Sequence, residues 1–210
     1  MTDTQESLYE HLFPLTTIMK QRVVENFNGK TLDEKWTARN QAGTNTFQMS
    51  DEVDGGFEII TGTTLNNEGQ LDFNDIEQYD ETAVVFIYIG KSEATTLQTS
   101  SYGMVNDQVV GFRQLLAIRN NTAASSFYAG RTSDASASTE TDTSISIDTL
   151  YHVMKGEVKS SSFKATMDGI LESTISTTMP TLPLQPYWFQ ATRTSAAKTG
   201  HVSYFEAYNT

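Results

Sequence analysis

The feature that most constrains this chain is a series of short segments, from Arg22 onward, in which apolar and polar residues alternate. Successive side chains of a β-strand point to opposite faces, so this period of two predicts strands with one buried face. Turn-forming pairs such as Asp168-Gly169 separate many of the segments. The predicted strands are Val23–Phe27, Trp36–Ala38, Thr46–Met49, Gly56–Thr61, Gln70–Phe73, Thr82–Ile89, Thr96–Tyr102, Val109–Arg119, Ser125–Arg131, Ser144–Ile147, Leu150–Val158, Ser162–Met167, Ile170–Ser176, Tyr187–Arg193 and His201–Tyr208. Many short strands at close spacing predict an all-β sandwich or barrel.

Individual segments indicate their place in the sheets. The run Val84–Ile89 is apolar throughout, which predicts a central strand covered on both faces. In Phe112–Arg119, Leu116 and Ile118 are predicted to face the opposite way from Arg113 and Arg119. The polar, low-complexity segment Thr132–Thr143 predicts an exposed, mobile loop instead of a strand.

Composition limits the class of protein. With 210 residues the chain is long enough for one sandwich domain, and the absence of cysteine excludes disulfides, thiolate metal sites and a cysteine nucleophile. A net charge of −12 disfavours nucleic acid as a partner, because an acidic surface repels phosphates. Neither a secretory signal at Met1–Glu6 nor a membrane-spanning apolar run is predicted, so we expect no membrane partner.

The first 21 residues differ from the rest of the chain and are predicted to form a helical or irregular arm ahead of a sandwich domain at 22–210. Apolar residues there recur at the spacing of one helix face, and Pro14 would end or kink that helix. Such an arm either folds back on its own sandwich or docks on a neighbouring subunit. For the second alternative the predicted interface residues are Leu8, Leu12, Phe13, Leu15, Ile18 and Met19.

Several motifs resemble those of concanavalin A-like lectin and glucanase domains. Residues Asn26–Trp36 are similar to the "F-x-G-x-x-L-D-x-x-W" opening of many such domains. Leu150–Val158 begins with an aromatic-His pair and precedes the Asp-Gly hairpin, and Met179–Phe189 resembles the proline-punctuated crossover to the two last strands. The resemblance spans about residues 22–210 and implies a jelly-roll sandwich of two antiparallel sheets.

Within that fold the chain looks most like jelly-roll proteins of tailed-virus particles, which combine a cysteine-free, Thr/Ser-rich domain with an N-terminal arm. This resemblance implies a non-catalytic virion structural protein (a capsid decoration, turret, fibre or tail component), with a homo-oligomer and other virion proteins as partners. The alternative is a carbohydrate-binding module for a cell-surface or polymeric glycan, which would be secreted or at the cell surface.

The sequence has no clear match to the two carboxylates of a glycosidase. Glycoside hydrolases of this fold place both on one strand in a Glu-x-Asp-x-(x)-Glu pattern, one as nucleophile and one as acid. The nearest match runs from Glu52 to Glu58, but its Gly55-Gly56 belongs to a turn and it lies too early in the chain. We therefore predict no catalytic residues and no enzyme activity.

Histidines, acidic residues and aromatic residues are the other candidates for binding a metal ion or a sugar. The three histidines are far apart and lack metal-ligand spacing, so His152 and His201 are predicted to be half-exposed structural residues. Residues 72–81 are rich in oxygen ligands that could bind a metal ion, but their spacing does not match an EF-hand. These residues are Asp72, Asn74, Asp75, Glu77, Asp80 and Glu81. We predict that they form a solvated loop and that the protein holds neither a metal nor a cofactor. For a sugar, the candidate aromatic residues are Tyr187, Trp188, Phe189 and Tyr204; alternation leaves open which of them face outward, and core packing is the favoured role.

Overall fold

A computed structural model describes residues 22–29, 31–51, 55–74, 78–107, 113–122 and 125–210, without the side chains of Leu171 and Glu172. The predicted arm and its six interface residues lie outside these ranges. Among the described residues there is no helix that is long and apolar enough to span a membrane. The strands of the described ranges, in chain order, are β1 (Arg22–Glu25), β2 (Thr37–Ala42), β3 (Thr46–Met49), β4 (Phe57–Ile60), β5 (Glu68–Asp72), β6 (Val84–Ser92), β7 (Gln98–Val105), β8 (Gln114–Asn121), β9 (Phe127–Asp134), β10 (Ser138–Ser146), β11 (His152–Lys159), β12 (Ser162–Met167), β13 (Ile170–Ile175), β14 (Gln185–Thr192) and β15 (Thr199–Asn209).

The strands form two antiparallel sheets. The eight-stranded sheet has the order β13-β12-β11-β6-β15-β4-β3, and β1 pairs with β15 beside β4. The seven-stranded sheet has the order β10-β9-β8-β7-β14-β5-β2. Sequence neighbours β6 and β7 therefore belong to different sheets, as expected when the chain crosses repeatedly between the layers of a sandwich. The predicted all-β sandwich of two antiparallel sheets is confirmed.

The core lies between the sheets and is rich in aromatic side chains. Alternation along β14 turns Trp188 inward, where its side chain is fully buried, and Tyr102 stacks beside it with ring centroids 6.1 Å apart. Elsewhere in the core, Trp36 packs edge-on against Phe73 at 4.5 Å and Phe205 at 5.2 Å. Such aromatic pairs add to the hydrophobic free energy of burial and hold the two sheets together.

The hairpin predicted at Asp168-Gly169 is present between β12 and β13. Both turn residues have positive φ, 50° for Asp168 and 83° for Gly169, as a two-residue turn of the type I′ family requires. The core-facing set Phe163, Ala165 and Met167 is fully buried, as the alternation predicts.

The prediction of a mobile loop at Thr132–Thr143 is wrong. This segment forms the end of β9 and most of β10, joined by a turn in which the Asp134 carboxylate accepts hydrogen bonds from the amides of Ser136 and Ala137 at 2.9 Å each. β10 is the edge strand of its sheet and pairs only with β9. An edge strand needs few apolar residues, and threonine suits a pleated surface, so a polar composition is compatible with a strand here.

Candidate functional site

The candidate site lies on the outer face of the seven-stranded sheet, the face opposite the core. Because Trp188 points into the core, its neighbours Tyr187 and Phe189 point outward from β14. They belong to a second apolar cluster on this face, separate from the main core, whose members are Val105, Leu115, Ala117, Tyr187, Phe189 and Ala191.

The strand register determines which side chains meet on this face. Phe189 pairs with Ser101 of β7, and Ser101 pairs with Arg119 of β8. In the next row, Tyr187 pairs with Gly103, followed by Ala117 of β8 and Arg131 of β9. The small residues between the rings and the arginines leave a recess, a cavity of about 180 Å³ lined by residues of β5, β7, β8, β9 and β14. We call it the arginine cavity.

Arginines dominate this cavity. Of the six arginines of the chain, only Arg22 lies on the eight-stranded sheet. Arg39 projects from β2 on the outer face of the seven-stranded sheet, where its Nε lies 3.0 Å from Asp72. The remaining four, Arg113, Arg119, Arg131 and Arg193, all line the arginine cavity. Four of the six arginines of this acidic protein therefore meet in one recess on one sheet face.

The two outward rings form the floor of the cavity. Tyr187 and Phe189 are stacked at 21° with centroids 6.2 Å apart, and the guanidinium of Arg113 lies 5.4 Å from the Tyr187 centroid. Burial raises the pKa of the Tyr187 phenol, although the charges of Arg113, Arg131 and Arg119 oppose this change. The rings are less than 10% exposed, so Tyr187 supports Arg113 through the cation–π contact and little ring surface stays open.

Carboxylates neutralise part of this positive charge. Glu68 of β5 lies 2.9 Å from Arg193 Nη1, and Arg193 also donates a hydrogen bond to Thr99 Oγ1 at 3.1 Å. Glu140 of β10 lies 2.9 Å from Arg119 and 3.5 Å from Arg131, so one carboxylate serves two guanidinium groups. Glu68 and Glu140 are thus both engaged with arginine side chains.

Two buried arginine atoms make no hydrogen bond. Within the ranges that the structure describes, these are the Nε atoms of Arg119 and Arg131, the second of which has only its 3.5 Å ion pair with Glu140. Burial lowers the pKa of Arg119, and the neighbouring charges of Arg131 and Arg193 add to this effect while Glu140 opposes it. An arginine stays charged at any ordinary pH, so the lowered pKa reflects a charge that is only partly compensated in a poorly solvated place. The cavity is therefore suited to a group that accepts hydrogen bonds and carries negative charge.

The structure resolves the question of the four aromatic candidates. Trp188 packs in the core, as favoured, whereas Tyr187 and Phe189 lie on the outer face in the arginine cavity. Tyr204 lies on the other sheet, where its hydroxyl donates a hydrogen bond to Glu206 at 2.7 Å. The four candidates therefore occupy three different environments.

The remaining candidates lie away from the cavity. Glu58 is on the outer face of the eight-stranded sheet, with its carboxylate 2.9 Å from Gln48 and 3.3 Å from His201, while Glu52 is outside the described residues. His201 and His152 are buried and not half-exposed as predicted, because each imidazole is enclosed by two carboxylates.

The oxygen-rich segment contains buried and exposed members. Asp72 is fully buried and bonded to Gln70 and Arg39, so it is not part of a solvated loop. Asp80 accepts hydrogen bonds from the amide and hydroxyl of Thr82, and Asp75 and Glu77 are not described. Across the described ranges, no group of three histidine or acidic side chains is placed to hold a metal ion.

The sequence reasoning missed the arginine cavity. Alternation placed Arg113 and Arg119 on the outward face, but Arg131 and Arg193 come from segments far apart in the chain. Only the strand order, in which β9, β8, β7, β14 and β5 are neighbours, assembles the four.

No family model and no curated protein matches this chain. Solved structures do. The Bacillus licheniformis beta-glucanase aligns with a TM-score of 0.66 and 12% identity over 90% of this chain and 98% of its own. A Bacteroides ovatus GH16 protein, solved with a G4G4G3G product, aligns with a TM-score of 0.67 and 12% identity over 87% and 98%. The Emp47p carbohydrate recognition domain aligns with a TM-score of 0.62 and 11% identity, over 90% of this chain and 94% of its own.

These neighbours overturn the functional prediction. They are mostly glucanases, with a transglycosylase and a carbohydrate recognition domain, so the prediction of a virion structural protein is wrong. The prediction that the chain is not an enzyme is contradicted by the same set, in which glycan-cleaving proteins predominate.

At 9–14% identity the comparison concerns the fold. With TM-scores of 0.66 and 0.67, the alignments cover 87–90% of this chain and 98% of the two glucan-related structures. The chain therefore has a jelly-roll sandwich fold like that of these solved structures.

Proposed function

We propose that this protein binds a glycan in the arginine cavity on the outer face of the seven-stranded sheet. The observation that supports this most is the combination of fixed guanidinium donors with the hydroxyls of Thr99, Ser101 and Ser133 around a recess of about 180 Å³. Sugar hydroxyls and ring oxygens are recognised by convergent, preorganised hydrogen-bonding groups of this kind. The likeness to a carbohydrate recognition domain and to glucanases agrees with this proposal.

A glycan array probed with the full chain tests the proposal. Ser101 faces the cavity, so Ser101→Trp fills the recess without changing charge, and we expect it to abolish the binding seen with the wild type. Thr166→Trp is the matched control, because Thr166 faces outward from β12 on the other sheet. Circular dichroism and the unfolding midpoint establish that both variants fold. An array without binders, or equal loss in both variants, would contradict the proposal.

Glycan cleavage is a second candidate, which the glucanases among the structural neighbours favour. Hydrolysis would need two carboxyl groups flanking the scissile bond. On this face Glu68, Asp72 and Glu140 each contact an arginine. Incubation of each array binder with the protein, followed by measurement of new reducing ends, separates the candidates. New reducing ends that no longer form with Glu68→Gln, Asp72→Asn or Glu140→Gln would establish cleavage. Binding without new reducing ends supports recognition alone.

A further inference from the structure

We propose that the ligand of the arginine cavity is an anionic saccharide, one that carries uronate carboxylates or sulfate esters. This inference rests on the glycan-binding function proposed above and names the class of glycan. The chain has a net charge of −12, yet four guanidinium groups and one carboxylate, Glu68, line this recess. A neutral sugar offers no compensation for such a concentration of like charge.

The charges of Arg119 and Arg131 are only partly compensated by the protein itself. Both guanidinium groups converge on Glu140, Arg119 through Nη1 at 2.9 Å and Arg131 through Nε at 3.5 Å. Within the described part of the chain neither buried Nε–H makes a hydrogen bond, and the Arg131 Nε has only this longer ion pair. The Arg119 side chain is only 11% exposed, so water has little access to it. A buried donor without an acceptor costs free energy, which an acceptor oxygen of a bound ligand would recover.

The choice of arginine over lysine fits the same class of ligand. The planar guanidinium offers parallel N–H donors whose spacing matches two oxygens of a carboxylate or a sulfate. Arg113 lies over the Tyr187 ring, and Arg193 is held by Glu68 and Thr99, so these donors are preorganised. The described lysines lie elsewhere: Lys91, Lys155, Lys159 and Lys164 belong to the eight-stranded sheet, and Lys35 and Lys198 to connections.

Because the protein is acidic overall, an anionic glycan should bind only at the arginine cavity. A polyanion is repelled by a protein of this net charge, so its binding requires a local positive site. The non-specific attraction that draws a polyanion to a basic protein does not operate here, because the net charge of this protein is negative. Binding at the cavity should also weaken as salt screens the charges.

Matched polysaccharide pairs test the inference on the full chain. Dextran sulfate is compared with dextran, and polygalacturonate with its methyl ester, by isothermal titration calorimetry; within each pair the backbone is kept and the charge removed. We expect binding to one anionic member at least, about tenfold weaker in Arg131→Gln, in line with the strength of a charge-assisted bond. The Lys159→Gln variant removes the same charge from an exposed position on the other sheet and should bind as the wild type does.

Each outcome decides the question. Binding to dextran sulfate alone assigns a sulfate site, and binding to polygalacturonate alone assigns a uronate site. Equal binding to the neutral partners would overturn the anionic class and leave glycan binding intact. Equal losses in Arg131→Gln and Lys159→Gln would overturn the assignment to the cavity. No binding to any of the four polymers would overturn the anionic class, and an array without binders would overturn the glycan function itself.

Discussion

The Nη1 atom of Arg119 on β8 lies 2.9 Å from Oε1 of Glu140 on β10, an ion pair that reaches across the intervening strand β9. Arg131, on that intervening strand and paired in register with Glu140, approaches the same oxygen to 3.5 Å. One carboxylate thus holds two arginines at the rim of the cavity.

Replacement of Glu140 should strengthen the binding of an anionic glycan. In Glu140→Gln the shared counter-charge is lost and both guanidinium groups become available, so we expect the affinity to rise several-fold, most clearly at low salt. Titration calorimetry with the anionic polymer that binds best measures the change. Glu157→Gln removes an equal charge beside Lys155 on the other sheet and should leave the affinity unchanged. An unchanged or lower affinity in Glu140→Gln would contradict the account.

The stability of the protein should depend on pH through His152. Its Nδ1 lies 2.7 Å from Asp168 and its Nε2 lies 2.9 Å from Asp148, and only the protonated imidazolium donates both bonds. Burial alone lowers the pKa of His152, but the hydrogen bonds and charges of Asp168 and Asp148 outweigh it and raise this pKa above 6.5. Burial likewise opposes the hydrogen bonds from His152 and the Val153 amide that lower the pKa of Asp168 below 3.8.

The sign of the pH effect follows from these two shifts. The raised pKa of His152 stabilises the fold fully below 6.5, and this contribution is lost as pH rises through the folded-state value. The contribution of Asp168 is present above 3.8 and is lost as pH falls through its lowered value. We expect the free energy of unfolding in urea to fall between pH 6 and pH 8.5, and to fall less in His152→Gln. An identical fall in both proteins would show that this cluster does not contribute.

The Tyr88 hydroxyl connects the eight-stranded sheet to the floor of the cavity. It is fully buried, accepts a hydrogen bond from the Tyr187 amide at 3.2 Å, and lies 3.1 Å and 3.2 Å from the carbonyl oxygens of Tyr187 and Gly103. Tyr88→Phe keeps the ring and removes these bonds, so we expect a loss of about 1–3 kcal/mol in unfolding free energy. Tyr208→Phe, on a half-buried outward ring, is the control, and a loss below about 0.5 kcal/mol in Tyr88→Phe would contradict the argument.

The N-terminal arm remains a prediction from its apolar spacing. If Leu8, Leu12 and the other predicted interface residues dock on a neighbouring subunit, deletion of residues 1–20 should lower the mass of the particle in solution. Size-exclusion chromatography with light scattering measures this mass over a range of concentrations. An unchanged mass would favour an arm that packs on its own sandwich.

The sequence predicted the strands far better than the site. A period of two is a local signal, and it placed elements such as β3 and β12 at their observed ends. The failure at Thr132–Thr143 came from reading polarity as disorder, when an edge strand needs little apolar surface. The arginine cavity is a product of strand order, because Arg119, Arg131 and Arg193 become neighbours only through the pairing of strands that are distant in the chain.

The central claim, that the arginine cavity is the binding surface, is tested most directly by NMR of the arginine Nε–Hε groups. The bound glycan is titrated into protein labelled with ¹⁵N, with Arg131→Gln and Arg119→Gln spectra used for assignment. We expect the Nε–Hε signals of Arg119 and Arg131, which make no hydrogen bond within the described chain, to shift in proportion to saturation, together with the backbone amide of Ser101. Saturable binding that leaves these signals unmoved while residues of the eight-stranded sheet shift would contradict the account.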